Sequence, residues 1–212
     1  MKTLNISDIK GIMNITADTV LENEKHFCDL DAVTGDGDFG MTLAKGFKVI
    51  KVELGNFDSE DIGGLMKAIG MSMLETCGGA TGSLWGAGFR AMGKDAKGKS
   101  EVSLVDISEM VKAFIQGMQK VGGAVVGDKT LLDALIPAAE AMAEDSKSED
   151  VDIAAAFKHA GEAAAVGAEK TKDMIAKKGR ATYLGKRSLG NPDAGAEAIS
   201  ILFKEVNLKF FC

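Results

Sequence analysis

The 212-residue chain is short of the materials that strands, disulfide scaffolds and membrane spans are built from. Aromatic residues make up 6% of it and there are two prolines, while Ala, Leu, Ile, Val and Met supply most of the 46% hydrophobic content. That mixture favours helix over strand. Cysteine is scarce and unpatterned: Cys28, Cys77 and Cys212 form no CxxC pair and are odd in number. This excludes a disulfide framework and a structural zinc site and points to a reducing cytoplasm. No apolar run reaches the ~18 residues of a membrane helix, and the N-terminus lacks the apolar core of a signal peptide. Positive charge is in deficit, 25 Lys and Arg against 31 Asp and Glu, for a net charge of −6. General binding to nucleic acid or to an anionic membrane is thereby disfavoured.

What the chain does have is helical periodicity, and enough length to bury a sizeable core. Ile9, Ile12, Met13, Ala17, Val20 and Leu21 mark a first helix, capped by Ser7 and running to about residue 26. Leu43, Ala44, Phe47 and Ile50 mark a second, starting at Gly40. A third runs from a Ser59 cap through Ile62, Leu65, Met66, Ile69 and Met73, and a fourth starts near Ser83 with Leu84, Phe89 and Met92. Asp106-x-x-Glu109 reads as the capping box of a fifth, Thr130 to Ala143 is a sixth, and Asp152 to Lys178 a long, Ala-rich seventh. Ile199, Leu202, Phe203 and Val206 lie on the eighth. No stretch makes a convincing strand. Short connections make consecutive helices antiparallel neighbours, so the expectation is a single all-α domain over 1–212 with eight helices in an up-and-down bundle.

Glycines gather in four connections: 35–40, 78–82, 122–127 and 179–195. Alternate connections of an up-and-down bundle share an end, so these four fall at one rim. The polar turns at 54–59, 93–105 and 145–151 fall at the other. The separation argues for one composite site.

The first of these connections carries the chemistry. Within Asp31-Ala32-Val33-Thr34-Gly35-Asp36-Gly37-Asp38-Phe39-Gly40, the glycines match a dinucleotide fingerprint. Asp36 and Asp38 would repel a pyrophosphate unless a cation lay between them, and no βαβ unit surrounds the loop. Asp31, Asp36 and Asp38 instead offer the hard oxygen ligands that Mg2+ prefers, and three carboxylates suffice for two ions around a polyphosphate. The plainer alternative is that Asp and Gly are turn and cap residues. Gly78-Gly79-Ala80-Thr81-Gly82-Ser83 leads into a helix start whose amides suit an anion. Gly122-x-x-x-x-Gly127-Asp128-Lys129-Thr130 fails as a P-loop, since an aspartate takes the lysine's place. Asp128 is read as a helix cap and Lys129 as pointing toward phosphate. Lys177, Lys178, Arg180, Lys186 and Arg187 form a local basic cluster, suited to a phosphate clamp or to helix-dipole complementation. His26 and His159 have no paired nucleophile nearby and receive no catalytic role. Trp85, Tyr183 and the methionines are read as packing residues.

Taken together, these loops resemble the nucleotide-binding L subunit of dihydroxyacetone kinases. The resemblance rests on Leu30-Asp31, Gly35-Asp36-Gly37-Asp38, Gly78 to Gly82, Gly127-Asp128-Lys129-Thr130, Lys178 to Gly185, Arg187-Ser188-Leu189-Gly190 and Asp193-Ala194-Gly195-Ala196. It implies an eight-helix antiparallel barrel with ADP or ATP at one rim. It makes Asp31, Asp36 and Asp38 ligands of two Mg2+. It places Phe39, Gly40, Met41, Thr42, Ala80, Thr81, Gly122, Leu131, Arg180, Asp193, Ala194 and Gly195 around the nucleotide. It gives Arg180 the catalytic role of stabilising the transferring phosphoryl group. It also implies a separate K subunit holding dihydroxyacetone, or a related ketose, covalently on a histidine. A phosphotransferase-system M subunit supplies the phosphoryl group in some relatives, and ATP does so in others. Phe39 stands where many L subunits have histidine, and Asn191-Pro192 replaces a common His-Gln pair, so the phosphoryl source stays open. A homodimer is compatible with this reading. The rival from another class is a nucleotide-binding regulatory protein that docks without turnover; a fatty-acid kinase module is a third.

Overall fold

In the computed structural model, which describes residues 2–57 and 61–212, the chain begins with a three-residue strand β1 (Thr3–Asn5). The helices α1 (Ile6–Glu22), α2 (Glu24–Thr34), α3 (Phe39–Glu53), α4 (Ile62–Thr76) and α5 (Gly79–Asp95) follow. Strand β2 (Glu101–Ser103) precedes α6 (Leu104–Gly122), α7 (Leu132–Asp145), α8 (Ile153–Lys170) and α9 (Ala194–Val206). Short 3-10 turns cover 171–173 and 180–188, and a π turn closes the chain at 207–211. The protein is all-α apart from the two short strands.

The helices close into a ring. In chain order α1, α3, α4, α5, α6, α7, α8 and α9 each pack on the next, and α9 returns to α1. Helix α2 packs on α3 and α9, the neighbours of α1, so α1 and α2 share one stave that bends at Asn23. The expected eight staves are therefore present, but they are built from nine α-helices among the described residues. The extra break was not visible because α2 buries only Phe27 and has no apolar stripe to read. Inside the ring lies one core of aliphatic side chains and methionines, with Trp85 at the centre of an aromatic group. Its ring lies 5.7 Å from that of Phe47, 6.1 Å from Phe89 and 5.8 Å from Phe114.

Several local expectations are corrected. Asn5, not Ser7, caps α1, accepting from the amides of Ser7 and Asp8. The Ser59 cap lies outside the described residues; Asp61 accepts from the Gly64 amide and begins α4. The box at α6 is Ser103 with Asp106, not Asp106 with Glu109, because the chain enters the helix straight from β2. That strand pairs antiparallel with β1, Leu4 opposite Val102, both fully buried. A three-residue ribbon is too short for alternation to reveal, which is why no strand was expected. Helix α5 starts at Gly79 rather than near Ser83, and α8 stops at Lys170, eight residues before Lys178.

Glycine sets how closely α4 and α5 approach. Gly63 lies against Gly93, and Gly70 against Gly86, at heptad spacing on both helices. A Cβ at position 63 would come within 2.6 Å of the Gly93 carbonyl oxygen and 2.7 Å of the Lys97 backbone. Overpacking against backbone cannot be relieved by a rotamer change, so Gly63→Ala is expected to destabilise the fold by about 1–3 kcal/mol in urea unfolding. Gly55→Ala, where a Cβ meets nothing within 4 Å, is expected to shift stability by less than about 0.5 kcal/mol.

Candidate functional site

At one rim of the ring a cavity of about 390 Å³ opens among all four glycine-rich connections. Its wall takes Asp31 and residues 34–36, 38 and 39 from the first; Ala80, Thr81, Leu84 and Trp85 from the second; Gly122, Ala124 and residues 129–132 from the third; and residues 178–181 and 193–195 from the fourth. The starts of α3, α5, α7 and α9 all face it. Helix starts carry partial positive charge and unsatisfied amides. The N-cap residues of α3, α5 and α7 make no side-chain cap, although the Leu132 amide of α7 donates to Thr130 Oγ1 at 3.2 Å, whereas Asp193 caps α9 through the Ala196 amide. At α3 the Phe39 and Met41 amides are taken up by Asp31 Oδ2 and Cys28 Sγ, so an anion finds its free donors at α5.

Asp31 occupies the last turn of α2 rather than the loop. Its Oδ2 accepts from the amides of Gly37 at 2.9 Å, Asp38 at 3.1 Å and Phe39 at 3.4 Å. The loop thus curls back on α2, a path that needs the left-handed backbone of Gly37 (φ 75°). The turn-and-cap reading of Asp31 holds for that oxygen, and the same fold brings Asp31, Asp36 and Asp38 together. A ligand oxygen from each lies within 4.8 Å of the others. Crowding pushes the Asp38 carboxyl above its ordinary value, through desolvation first and the Asp36 charge second, with Arg180 opposing. Arg180 hydrogen-bonds Asp36 across the mouth. A cluster of three carboxylates answered by one guanidinium is short of positive charge.

Of the residues named for the nucleotide, Arg180, Phe39, Ala80, Thr81, Gly122, Leu131, Asp193, Ala194 and Gly195 line the cavity, and Gly40, Met41 and Thr42 do not. Gly40 is buried against α2, where a Cβ would meet backbone of Glu24 and Cys28. Met41 points outward, 58% exposed, and its amide donates to Cys28 Sγ at 3.2 Å. These three follow the acidic loop in sequence and turn away from it in space. Leu84, Trp85, Met118, Ala124 and Leu132 are wall residues that were not foreseen as such. Ala124 lies in the third glycine-rich connection; Leu84 and Leu132 are marked as core by helical periodicity and Trp85 as a packing residue, and the same character suits an apolar cavity lining. Trp85 Nε1 is buried there without a hydrogen-bond partner.

Further expectations change. Asp128 does not cap α7, whose N-cap is Leu131 with no side-chain cap; Asp128 accepts from the Val125 amide, and Asp133 in the first turn ties down the preceding connection, accepting from the amides of Thr130 at 2.7 Å and Gly127 at 2.5 Å. Lys129 points into the protein, not toward the cavity's anion side, and donates to three backbone carbonyls. Of the basic cluster, Lys178 and Arg180 reach the wall and Lys186 and Arg187 do not. Because α8 ends at Lys170, neither Lys177 nor Lys178 complements its dipole. Tyr183 is 87% exposed and packs in no core. His26 and His159 lie away from the cavity; His159 pairs with Asp145 at 2.9 Å.

A DAK2 domain match spans residues 33–207. The chain is 37% identical over 196 residues to the ADP-binding subunit DhaL of PEP-dependent dihydroxyacetone kinase 2 of Listeria innocua, covering 90% of this chain and 89% of that one. It is 29% identical over 206 residues to the ADP-binding subunit DhaL of the PEP-dependent dihydroxyacetone kinase of Escherichia coli, covering 97% and 98%. The dihydroxyacetone kinase of C. freundii, solved in complex with AMP-PNP and Mg2+, superposes with a TM-score of 0.77 at 28% identity. That match covers 98% of this chain and 34% of the other, so the chain spans about a third of the length of that solved relative.

Asp193 makes the site's electrostatics measurable. It opens on the cavity and is otherwise enclosed, and desolvation lifts its carboxyl to about 6, with the Asp133 charge adding and the Ala196 amide and Lys129 opposing. A raised carboxyl holds its proton longer in the folded than in the unfolded state, so its contribution to stability is full below pH ~4 and is lost as pH rises through about 6. Asp193→Asn keeps an oxygen for the Ala196 amide and removes the titration. Its stability, relative to the parent in urea titrations, is expected to improve between pH 4 and 7 by on the order of 1 kcal/mol. A constant difference across that range would contradict the assignment.

Proposed function

We propose that this chain, which belongs to the DAK2 domain family, is the ADP- or ATP-binding subunit of a dihydroxyacetone kinase, a phosphotransferase whose other parts lie on separate chains. The observation that carries this reading is the convergence of three carboxylates, one arginine and the uncapped start of α5 on a single cavity. The chain works as one nucleotide-binding domain over its whole length, 1–212. Relatives of matching length are named as ADP-binding subunits of PEP-dependent enzymes, which supports ADP as a resident group rephosphorylated by a phosphotransferase-system protein. Acceptor specificity rests with a K subunit that holds the ketose, dihydroxyacetone or a close relative. The cytoplasm, where sugar phosphorylation draws on phosphoenolpyruvate, is the compartment this reading assigns; among the described residues no helix is long and apolar enough to cross a membrane.

Asp31, Asp36 and Asp38 would hold Mg2+, two ions in this reading. The fit rests on the oxygens gathered within 4.8 Å and on the guanidinium that already offsets them. Bound there, Mg2+ would supply charge neutralisation for the phosphates and help align the transferring group. The remaining work belongs to the chain. The α5 amides at Ala80 and Thr81 receive phosphate oxygens, and Leu84, Trp85, Met118, Leu131 and Leu132 offer the apolar surface that a base requires. Arg180, which hydrogen-bonds Asp36 in this structure, would turn to the transferring phosphoryl group and stabilise it electrostatically. Gly40, Met41 and Thr42 contribute by fixing the start of α3. The chain needs no nucleophile, because the acceptor hydroxyl comes from the partner's sugar.

Trp85 is the one tryptophan and sits in the wall, so its fluorescence reports nucleotide binding. Asp36→Ala is expected to weaken Mg2+-dependent ADP binding by about 100-fold or more with the helical circular dichroism unchanged. Reconstituted with a K subunit and dihydroxyacetone, the chain is expected to turn over with phosphoenolpyruvate plus phosphotransferase components, and poorly with ATP alone. Tight ADP binding with no turnover under either donor would favour the regulatory alternative.

A further inference from the structure

Lys129 is 3% exposed, and no step above uses its charge. Its ammonium donates to the carbonyl oxygens of Thr171 at 2.8 Å, Ser188 at 2.7 Å and Asn191 at 2.7 Å. Three protons meet three acceptors, so nothing is left for a phosphate. The three carbonyls belong to the two legs of one excursion, residues 171–191, and that excursion carries Arg180 at its mouth. Lys129 itself belongs to the connection ahead of α7. It is the one described non-glycine residue with a positive φ, 61°. A β-carbon in that region costs on the order of 1 kcal/mol, a strain that persists only where the surroundings enforce it.

The excursion has little to hold it otherwise. It contains three left-handed glycines, Gly179, Gly185 and Gly190, and only broken 3-10 turns. Its legs are tied to each other by Ala176 N–H to Ser188 Oγ and Gly190 N–H to the Lys172 carbonyl. One backbone bond, Lys177 N–H to the Asp128 carbonyl, joins a leg to the α7 connection. Thr171, whose carbonyl Lys129 holds, also accepts the Asp193 amide on its Oγ1 at 2.8 Å. The contact network therefore runs from Lys129 to both the Arg180 loop and the start of α9. Burial pushes the ammonium below its ordinary value, and the nearby carboxylates of Asp193 and Asp173 oppose this.

We propose that Lys129 is a positioning residue: a built-in cation that clamps both ends of the 171–191 excursion through backbone carbonyls and so sets where Arg180 meets the acidic cluster. The role given to Arg180 rests on the function proposed above, whereas the clamp itself rests on the three carbonyl contacts.

The test compares Lys129→Met, Arg180→Ala and the double variant. In Lys129→Met, amide exchange across 175–190 is expected to accelerate by about 10-fold or more while the α4 and α5 amides keep their protection. Affinity for Mg2+–ADP, read by Trp85 fluorescence, is expected to fall roughly 10-fold. In the Arg180→Ala background the same substitution is expected to cost less than about 2-fold, since two changes acting through one group do not add. A merely structural lysine would instead add its full loss in both backgrounds. Unchanged exchange across 175–190, or full additivity, would overturn the proposal. Faster exchange together with normal binding by Arg180→Ala would sustain the clamp and remove the role of Arg180. Should Lys129→Met fail to fold, acetylation of the parent protein by an N-hydroxysuccinimide ester decides. The clamp requires Lys129 to react far more slowly than Lys178, and to become reactive together with exchange of the 175–190 amides. Equal labelling of the two lysines in the folded protein would contradict it.

Discussion

Like charges must be held together before this rim can do anything. Three carboxylates with oxygens within 4.8 Å of one another repel by on the order of 1–3 kcal/mol per pair, depending on how much water lies between them. The chain meets that cost with three devices. Asp31 spends one oxygen on the amides of the loop that carries the other two aspartates, so forming the loop and assembling the cluster are one event. Gly37 supplies the left-handed step this requires. Arg180, reaching in from the far end of the sequence, offsets part of the charge. In the proposed function, this residual repulsion would make the cluster receptive to a divalent cation, and through it to a polyphosphate. Acidic groups relaxed to separate positions would have no such affinity.

The helical ring makes these devices converge. Consecutive staves run up and down, so the connections before α3, α5, α7 and α9 share one rim, and all four helix starts there point their free or capped amides at one space. Glycine serves two distinct ends. In the connections it permits turns; in α4 and α5, at positions 63, 70, 86 and 93, it lets two helices approach until backbone nearly meets backbone. The ribbon of β1 with β2 sits at the opposite rim, tying the start of α1 to the start of α6, and leaves the site's rim free of strands.

Much of this was legible in the residues. The four glycine-rich connections were found by spacing alone, and their shared rim followed from counting. The count survived an error, because α2 continues the stave of α1 instead of adding a reversal. The acidic triad was legible because its residue types have few other uses in such density. What escaped detection were features with no local signature. The Glu24–Thr34 helix buries one side chain, and three-residue strands are shorter than any period. Gly40, Met41 and Thr42 adjoin the loop in sequence while the first turn of α3 carries them off the wall. Lys129 misled most, since a lysine after Gly-Asp reads as a phosphate ligand. Its actual partners are carbonyl oxygens 42 to 62 residues away, and backbone atoms leave no mark on composition.

The proposed function requires the rim to be a single metal–nucleotide site with the aspartates as its metal ligands. The most direct measurement is a crystal structure grown with ADP and Mn2+, read by anomalous scattering. The account predicts metal peaks bonded to oxygens of Asp31, Asp36 and Asp38, nucleotide phosphates on the α5 amides, and Arg180 swung from Asp36 to the phosphate. Nucleotide bound elsewhere, or bound here with no metal at the three aspartates and the Arg180–Asp36 contact intact, would contradict it.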